Sequence, residues 1–449
     1  LMIKEKKIFY RHAFEMAWPS VLESFFIAMA GLIDTYMVSS LGSFAVAAVG
    51  LTNQPKFFGF TLFFAINVAV SALVARRKGE RDKYRANEAL LTAFVITMIC
   101  VVFMTIIMVK FASPLLKFSG SNKDTHVPAM IYFRIIMGGM VFSTISMVIN
   151  AAQRGSGNTQ IAFTTNLVSS IVNIIFNYLL IGGNLGFPKL GIAGAAIATV
   201  LGTVVATIMS IRSLFKRDSF VQIRYMLKEK IKPGVETAIS IAKLGVNLLA
   251  ENLAARVGFM ATAMMAAKLG TDAFASHNVG MSLLSLGFAF ADGMQVAAVA
   301  LTGSALGAGK KEEAKNYGKT CQTIGLGISV VLSLILFVFG ESIFRLYFKE
   351  EHIIKMGVMI SKFLMIILLL QISQIIYGGC LRAAGDVKYT LFASIISVTI
   401  IRTFATYFLV VVMDLGLKGI WLGILADQFT RYILMSFRFR RGKWVDIKI

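Results

Sequence analysis

Leu41-Gly42-Ser43-Phe44-Ala45 is answered 228 residues later by Leu269-Gly270-Thr271-Asp272-Ala273, and Gln153-Arg154-Gly155-Ser156-Gly157-Asn158 by Leu381-Arg382-Ala383-Ala384-Gly385-Asp386 at the same offset. Glu23 falls on Glu251 in this register, and Gly191-Ile192-Ala193-Gly194 lines up with Gly416-Leu417-Lys418-Gly419 at an offset of 225. A repeat of half the chain length means two copies of one structural unit. Six apolar runs flank the markers in the first copy, near 13 to 40, 53 to 75, 89 to 110, 129 to 150, 160 to 181 and 191 to 213. Six more follow near 238 to 268, 274 to 303, 320 to 344, 353 to 380, 389 to 413 and 419 to 438. About 20 helical residues cross the roughly 30 Å hydrocarbon layer, so each run is long enough to span. Six is even, so each copy returns to its starting side. The expected fold is an all-α membrane protein with twelve transmembrane helices in two six-helix lobes, related by a pseudo-two-fold axis along the membrane normal, a transporter architecture.

Composition agrees. Of 449 residues, 57% are hydrophobic and 15% charged, against about 45–50% and about 25% in soluble domains. A large soluble domain is excluded. The net charge of +22 would suit a nucleic-acid partner if it were clustered on one face, but the basic residues fall in short connections between apolar runs. Alternate connections carry 31 Lys and Arg on one side and 12 on the other, with Arg256 and Arg402 inside spans. The positive-inside rule then puts both termini in the cytoplasm, and the partner surface is the lipid bilayer, not nucleic acid. The basic stretch from Arg212 to Lys232 is a solvated linker, giving an N-lobe over 1–213, a linker over 214–237 and a C-lobe over 238–449. Cys100, Cys321 and Cys380 lie apart, with neither disulfide nor metal-ligand spacing. The first apolar run has no cleavage site at the length of a signal sequence and reads as a retained span.

Ionisable residues inside spans are costly and call for a reason. Asp34 sits in Gly31-Leu32-Ile33-Asp34-Thr35-Tyr36, and Glu23 lies eleven residues earlier on nearly the same helix face. Asn173 and Asn177 are an i, i+4 pair that directs two carboxamides to one side of the fifth span. The sixth span supplies Thr199. A carboxylate, two amide carbonyls and a hydroxyl suit a small hard cation, so Asp34, Asn173, Asn177 and Thr199 are read as one cage. Each also has a plain structural use, since Asn bonds between helices and Thr bonds its own backbone. At an offset of 228 the second copy has Thr262, Ile401 and Ala405, so the cage is not repeated. Glu251, Arg256, Asp292 and Glu23 are candidates for secondary coupling or gating, and Tyr36, Met260 and Met264 for a substrate cleft. His277 reads as structural. No phosphate-binding loop is present, so pumping must draw on an ion gradient.

These residues resemble the multidrug and toxic compound extrusion (MATE) family. The resemblance rests on the two six-span halves, Pro19 with Ile33-Asp34-Thr35, Leu41-Gly42, Leu269-Gly270 with Ala275-Ser276-His277-Asn278-Val279-Gly280, the stretch from Gly303 to Gly309, and Gly191-Ile192-Ala193-Gly194-Ala195-Ala196-Ile197-Ala198-Thr199. It implies a V-shaped pair of lobes, monomeric in the bacterial cytoplasmic membrane, exporting small organic, often cationic, compounds in exchange for Na⁺ or H⁺, with no other cofactor. Asp34 matches the family's first-helix carboxylate. Asn173, Asn177 and Thr199 match the positions completing the cation or proton site, and Glu251 the seventh-helix acid of NorM-type members. The tenth span has Gln371 and Gln374 but no carboxylate, which leans the pattern toward the DinF-like branch and against a cation site in the second lobe. The Gly-Ala-Gly of the family's second-span exit is replaced by Arg76-Arg77-Lys78. Rival readings are a flippase for lipid-linked oligosaccharides, a membrane-embedded enzyme, for which the four scattered histidines offer no constellation, and a passive channel.

Overall fold

The glycines that mark the repeat do so because of the backbone they must adopt. Gly42 (φ 110, ψ 168) and Gly270 (φ 103, ψ 168) start the second helix of each copy in the same conformation. Gly157 (φ 87) and Gly385 (φ 86) form a second equivalent turn pair. A residue with a Cβ is strained there, so these turns keep their glycine in both copies.

A computed structural model describes residues 2–119, 121 and 123–447, among which the regular structure is helical throughout. Twelve long helices follow in order: α1 (Met2–Ser39), α2 (Ser43–Gly79), α3 (Lys83–Lys110), α4 (His126–Gly138 with Met140–Gly155), α5 (Thr159–Gly182), α6 (Ile192–Ser213), α7 (Val235–Lys268), α8 (Thr271–Gly307), α9 (Lys311–Tyr347), α10 (Glu351–Ala383), α11 (Val387–Val412) and α12 (Gly416–Arg441). Ten are long and apolar enough to cross a membrane as single helices, and α4 is an eleventh, bent by 46° at Gly139. The remaining helix, α12, carries Asp427, Arg431, Arg438, Arg440 and Arg441 and so falls short on hydropathy. It still has 26 residues, long enough for about 39 Å. Helix α11 is wound in wider π turns over Ile395–Arg402 and Phe408–Val412. Phe103 (67% exposed) and Phe337 (69%) represent the outward apolar faces, which only a lipid surround leaves without penalty. The three cysteines are free.

The chain divides into two compact units, Leu22–Gly245 and Val246–Ile449 together with Leu1–Val21. Helix α1 is therefore shared, its boundary two residues beyond Pro19, which sits inside the helix and removes a backbone hydrogen bond there. In the C-terminal unit, His12 Nδ1 lies 3.0 Å from the Tyr317 hydroxyl, and Phe9 meets the Tyr317 ring edge-on at 4.7 Å. Ala13 and Ala17 belong to the same core as Ala291 and Met294 of α8.

The basic connection after α6 is more than a solvated loop. Asn87 of α3 donates to the Phe220 carbonyl at 3.1 Å and accepts from the Gln222 N–H at 2.8 Å. The Gly234 N–H reaches Thr92 at 3.0 Å, the Thr237 hydroxyl reaches Glu88 at 3.0 Å, and Lys83 covers the Tyr225 ring. The connection is thus fastened along α3.

Helices α5 and α6 approach closely because α6 presents glycine to α5. A Cβ on Gly194 would stand 2.5 Å from the Leu180 carbonyl oxygen, and one on Gly202 would stand 2.7 Å from that of Ser169. Small residues at such contacts let membrane helices pack backbone to backbone. Replacing Gly202 by valine should force the helices apart and destabilise the N-terminal unit by about 1–3 kcal/mol, read as a lower thermal-unfolding midpoint of the detergent-purified protein.

Candidate functional site

The close α5–α6 contact brings Asn173 Nδ2 to 3.1 Å from Thr199 Oγ1. One turn along α5, Asn177 is fully buried. Its Nδ2 donates to Asp34 Oδ1 at 2.5 Å and lies 3.4 Å from Asn173 Oδ1. Thr199 also donates to the Ala195 carbonyl, the self-satisfying bond common for threonine in helices. Asp34 stands five residues before the end of α1 and is half-buried. All four residues expected to form the cage are therefore joined by a chain of hydrogen bonds. The Asn177 carbonyl oxygen is buried and has no partner.

Two further residues belong to this site, and the sequence reading passed over both. The Tyr132 ring on α4 is buried, and its hydroxyl reaches the Thr199 side chain. Lys56 on α2 holds its ammonium 5.1 Å from the centre of that ring, within electrostatic reach of the Asp34 carboxylate. By sequence Lys56 was simply one of the 12 outer-side basic residues. The available signal was its position three residues inside an apolar run.

The other acids have different company. Glu23 Oε1 accepts from Arg154 at 3.0 Å and from Asn166 at 2.5 Å. Glu251 accepts from Arg382 at 2.5 Å, Thr390 at 2.9 Å and Ser394 at 3.2 Å, and Arg382 also donates to Gln295 at 2.6 Å. With the offset of 228, Glu23, Arg154 and Asn166 map onto Glu251, Arg382 and Ser394. One buried carboxylate–guanidinium pair is thus built twice, once in each unit. Arg382 is the ion-pair partner found for Glu251, whereas Arg256 is half-exposed five residues further along α7. Asp292 is exposed on α8. Tyr36 (79%), Met260 (61%) and Met264 (55%) are exposed, and Met264 lines a cavity of about 440 Å³ between α7 and α11 with Met265, Thr403 and Phe404.

Where the N-terminal unit has Asp34, the C-terminal unit has Thr262, and Thr262 accepts from Arg402 Nε at 2.9 Å. Arg402 is fully buried, its guanidinium lies 4.3 Å from the centre of the Phe259 ring, and it pairs with the equally buried Asp427 at 3.4 Å. Asp427 lies 3.6 Å from Arg431 as well. A side-chain cation is resident where the repeat would put a second cage. Gln371, in place of a tenth-span acid, is buried with its amide unpartnered, and Gln374 stands 3.5 Å from Gln428. His277 is buried against Trp421. No group of three or more His, Cys, Asp or Glu suited to a metal ion occurs among the described residues.

A family model described as MatE matches the chain twice, over residues 19–179 and 248–408. The probable multidrug resistance protein NorM of Thermotoga maritima is 25% identical over 96% of this chain and 92% of its own length. The uncharacterized transporter YisQ of Bacillus subtilis is 26% identical over 96% and 94%. Among solved structures, an outward-facing multidrug resistance MATE family transporter of the MOP superfamily superposes with a TM-score of 0.88, at 24% identity over 97% of both chains. A MOP superfamily transporter from Pyrococcus furiosus, whose binding-pocket polarity is described as reversed and suggesting a different function, gives 0.89 at 24% identity over 98% and 97%.

Breaking the buried Arg402–Asp427 contact should be costly, because the guanidinium would keep its charge without a partner. Asp427→Asn is expected to lower stability by about 3–5 kcal/mol, whereas pairing Arg402→Met with Asp427→Leu should cost less than either single change. Thermal melts of the single and double variants check this.

Proposed function

The chain belongs to the MatE family, whose members are membrane transporters and not enzymes, and from that premise we propose that it exports organic cationic or amphipathic compounds in exchange for Na⁺ or H⁺ by alternating access. Asp34 is the seat of the coupling ion, with Asn173, Asn177 and Thr199 as its surroundings. The observation that carries this reading is the hydrogen-bonded chain from Asp34 through Asn177 and Asn173 to Thr199, with the buried Asn177 amide oxygen beside it lacking a partner among the described residues. Oxygen ligands around one carboxylate suit a hard monovalent cation, and the same carboxylate accepts a proton. An ion drives such a cycle only if it binds the alternating states unequally. A cage drawn from α1, α5 and α6 supplies that difference if those helices shift between the states.

Glu251 is less suited to the role it has in NorM-type members. Its oxygens are taken by Arg382, Thr390 and Ser394, and Arg402 stands where a second cage would be. One exchangeable ion site per chain follows, in keeping with the DinF-like leaning. Exposed Met260 and Met264 of the C-terminal unit offer an adaptable apolar surface for substrates, and exposed Tyr36 of the N-terminal unit is a separate candidate contact. The same reading has lobes over 1–213 and 238–449 joined by the 214–237 linker, a monomer, and both termini on the cytoplasmic side of a bacterial cytoplasmic membrane, the orientation supported by the distribution of basic residues.

Dye efflux from proteoliposomes under an imposed Na⁺ gradient and, separately, an imposed pH gradient tests the proposal. The wild-type protein should respond to at least one gradient. Asp34→Asn should abolish the gradient-driven component while eluting as a folded protein, and Glu251→Gln with Arg382→Met should retain it. Gradient-driven efflux that survives Asp34→Asn would sink the assignment.

A further inference from the structure

Among the described residues, the Asp34 site contains a positive charge with no acceptor and an acceptor with no partner. Lys56 is reached from the Tyr132 side. Among the described residues its ammonium makes no hydrogen bond and stands in no ion pair within 4.0 Å, and its only described close contact is the Tyr132 ring face at 5.1 Å. On the other side of Tyr132, whose hydroxyl reaches Thr199, Asp34 accepts from Asn177, its one hydrogen bond among the described residues, where the Asn177 side-chain carbonyl oxygen has none. The ammonium and the carboxylate are near enough to feel one another without touching. Lysine carries its charge on a flexible four-carbon stem with rotatable donors, so it can leave the weak cation–π seat and cover the distance. Tyr132 is then a parking place, since an aromatic face attracts an ammonium only modestly.

Charge balance decides what this arrangement does. With Lys56 protonated and Asp34 ionised the site is neutral, so an entering monovalent cation raises it to +1 in a poorly screened environment. The ion and the ammonium therefore compete for one carboxylate.

We propose that Lys56 is a tethered competitor for the Asp34 cage: its ammonium rests on Tyr132 while a small cation occupies the Asp34 carboxylate and the Asn177 carbonyl, and it swings onto Asp34 when that cation leaves. Lys56 thereby keeps the ion weakly held and fills the site during the empty step of the cycle. This rests on the assignment of Asp34 as the ion seat and adds a residue that sets its affinity.

Sodium binding to the detergent-purified full chain, measured by calorimetry or by competition against radioactive Na⁺, provides the test. Lys56→Gln should tighten sodium binding about tenfold or more, and Lys56→Arg, which keeps the charge, should stay within about threefold of wild type. Lys56→Met gives the same reading if the glutamine variant fails to fold, as judged by size-exclusion elution. Asp34→Asn, alone and combined with Lys56→Gln, separates the two claims. Loss of binding in both Asp34 variants with unchanged affinity in Lys56→Gln overturns the competitor and leaves the ion seat standing. Binding that persists without the Asp34 carboxylate overturns both. No measurable sodium binding by wild type or Lys56→Gln also overturns the competitor.

Discussion

A charge sunk among lipid-facing helices must find its counter-charge or its hydrogen bonds inside its own bundle, because the surroundings supply neither. That constraint orders the interior of this protein. It ties Glu23 to Arg154, Glu251 to Arg382 and Asp427 to Arg402, each across separate helices or between α11 and α12. It also makes the Asp34 site stand apart. There the carboxylate has an amide for company, and the nearest cation is held off on an aromatic ring.

The helix count, the repeat and the proximity of Asp34, Asn173, Asn177 and Thr199 were all legible in the sequence, for identifiable reasons. Apolar runs of spanning length have few alternatives, and the turn glycines recur because Gly42 and Gly270 need the same left-handed backbone. The i, i+4 spacing of Asn173 and Asn177 fixed their shared face whatever the packing. What escaped was the choice of partner for the other buried charges. The sequence put Glu251 and Arg256 on one helix and Arg382 in a repeat marker, but only the α7–α10 packing chooses Arg382. Lys56 reads as a topological charge because its place three residues inside a span is a weak local signal, and only the Tyr132 ring shows which way it turns. The bend of α4 at Gly139 was likewise hidden, since hydropathy does not register direction.

The two copies have diverged in an instructive way. Both retain the carboxylate–guanidinium pair, whose loss in either would strand a buried charge. The cage was free to change in one copy. Thr262 replaces the acid, and Arg402, seated on Phe259 and held by Asp427, supplies a fixed positive charge. In the first copy the neighbouring cation is Lys56, which rests 5.1 Å from the Tyr132 ring with no ion pair among the described residues, so the two halves differ in whether the cation is held by a carboxylate.

The divided allegiance of α1 bears on biosynthesis. A ribosome delivers Phe9, His12, Ala13 and Ala17 ahead of the first bundle, yet their neighbours Ala291, Met294 and Tyr317 emerge almost three hundred residues afterwards. Domains otherwise tend to mature in order of their translation. Here a segment on the N-terminal side of the first bundle must wait, unsatisfied, for the second bundle to arrive, and that second bundle cannot finish assembling without a piece translated well before it.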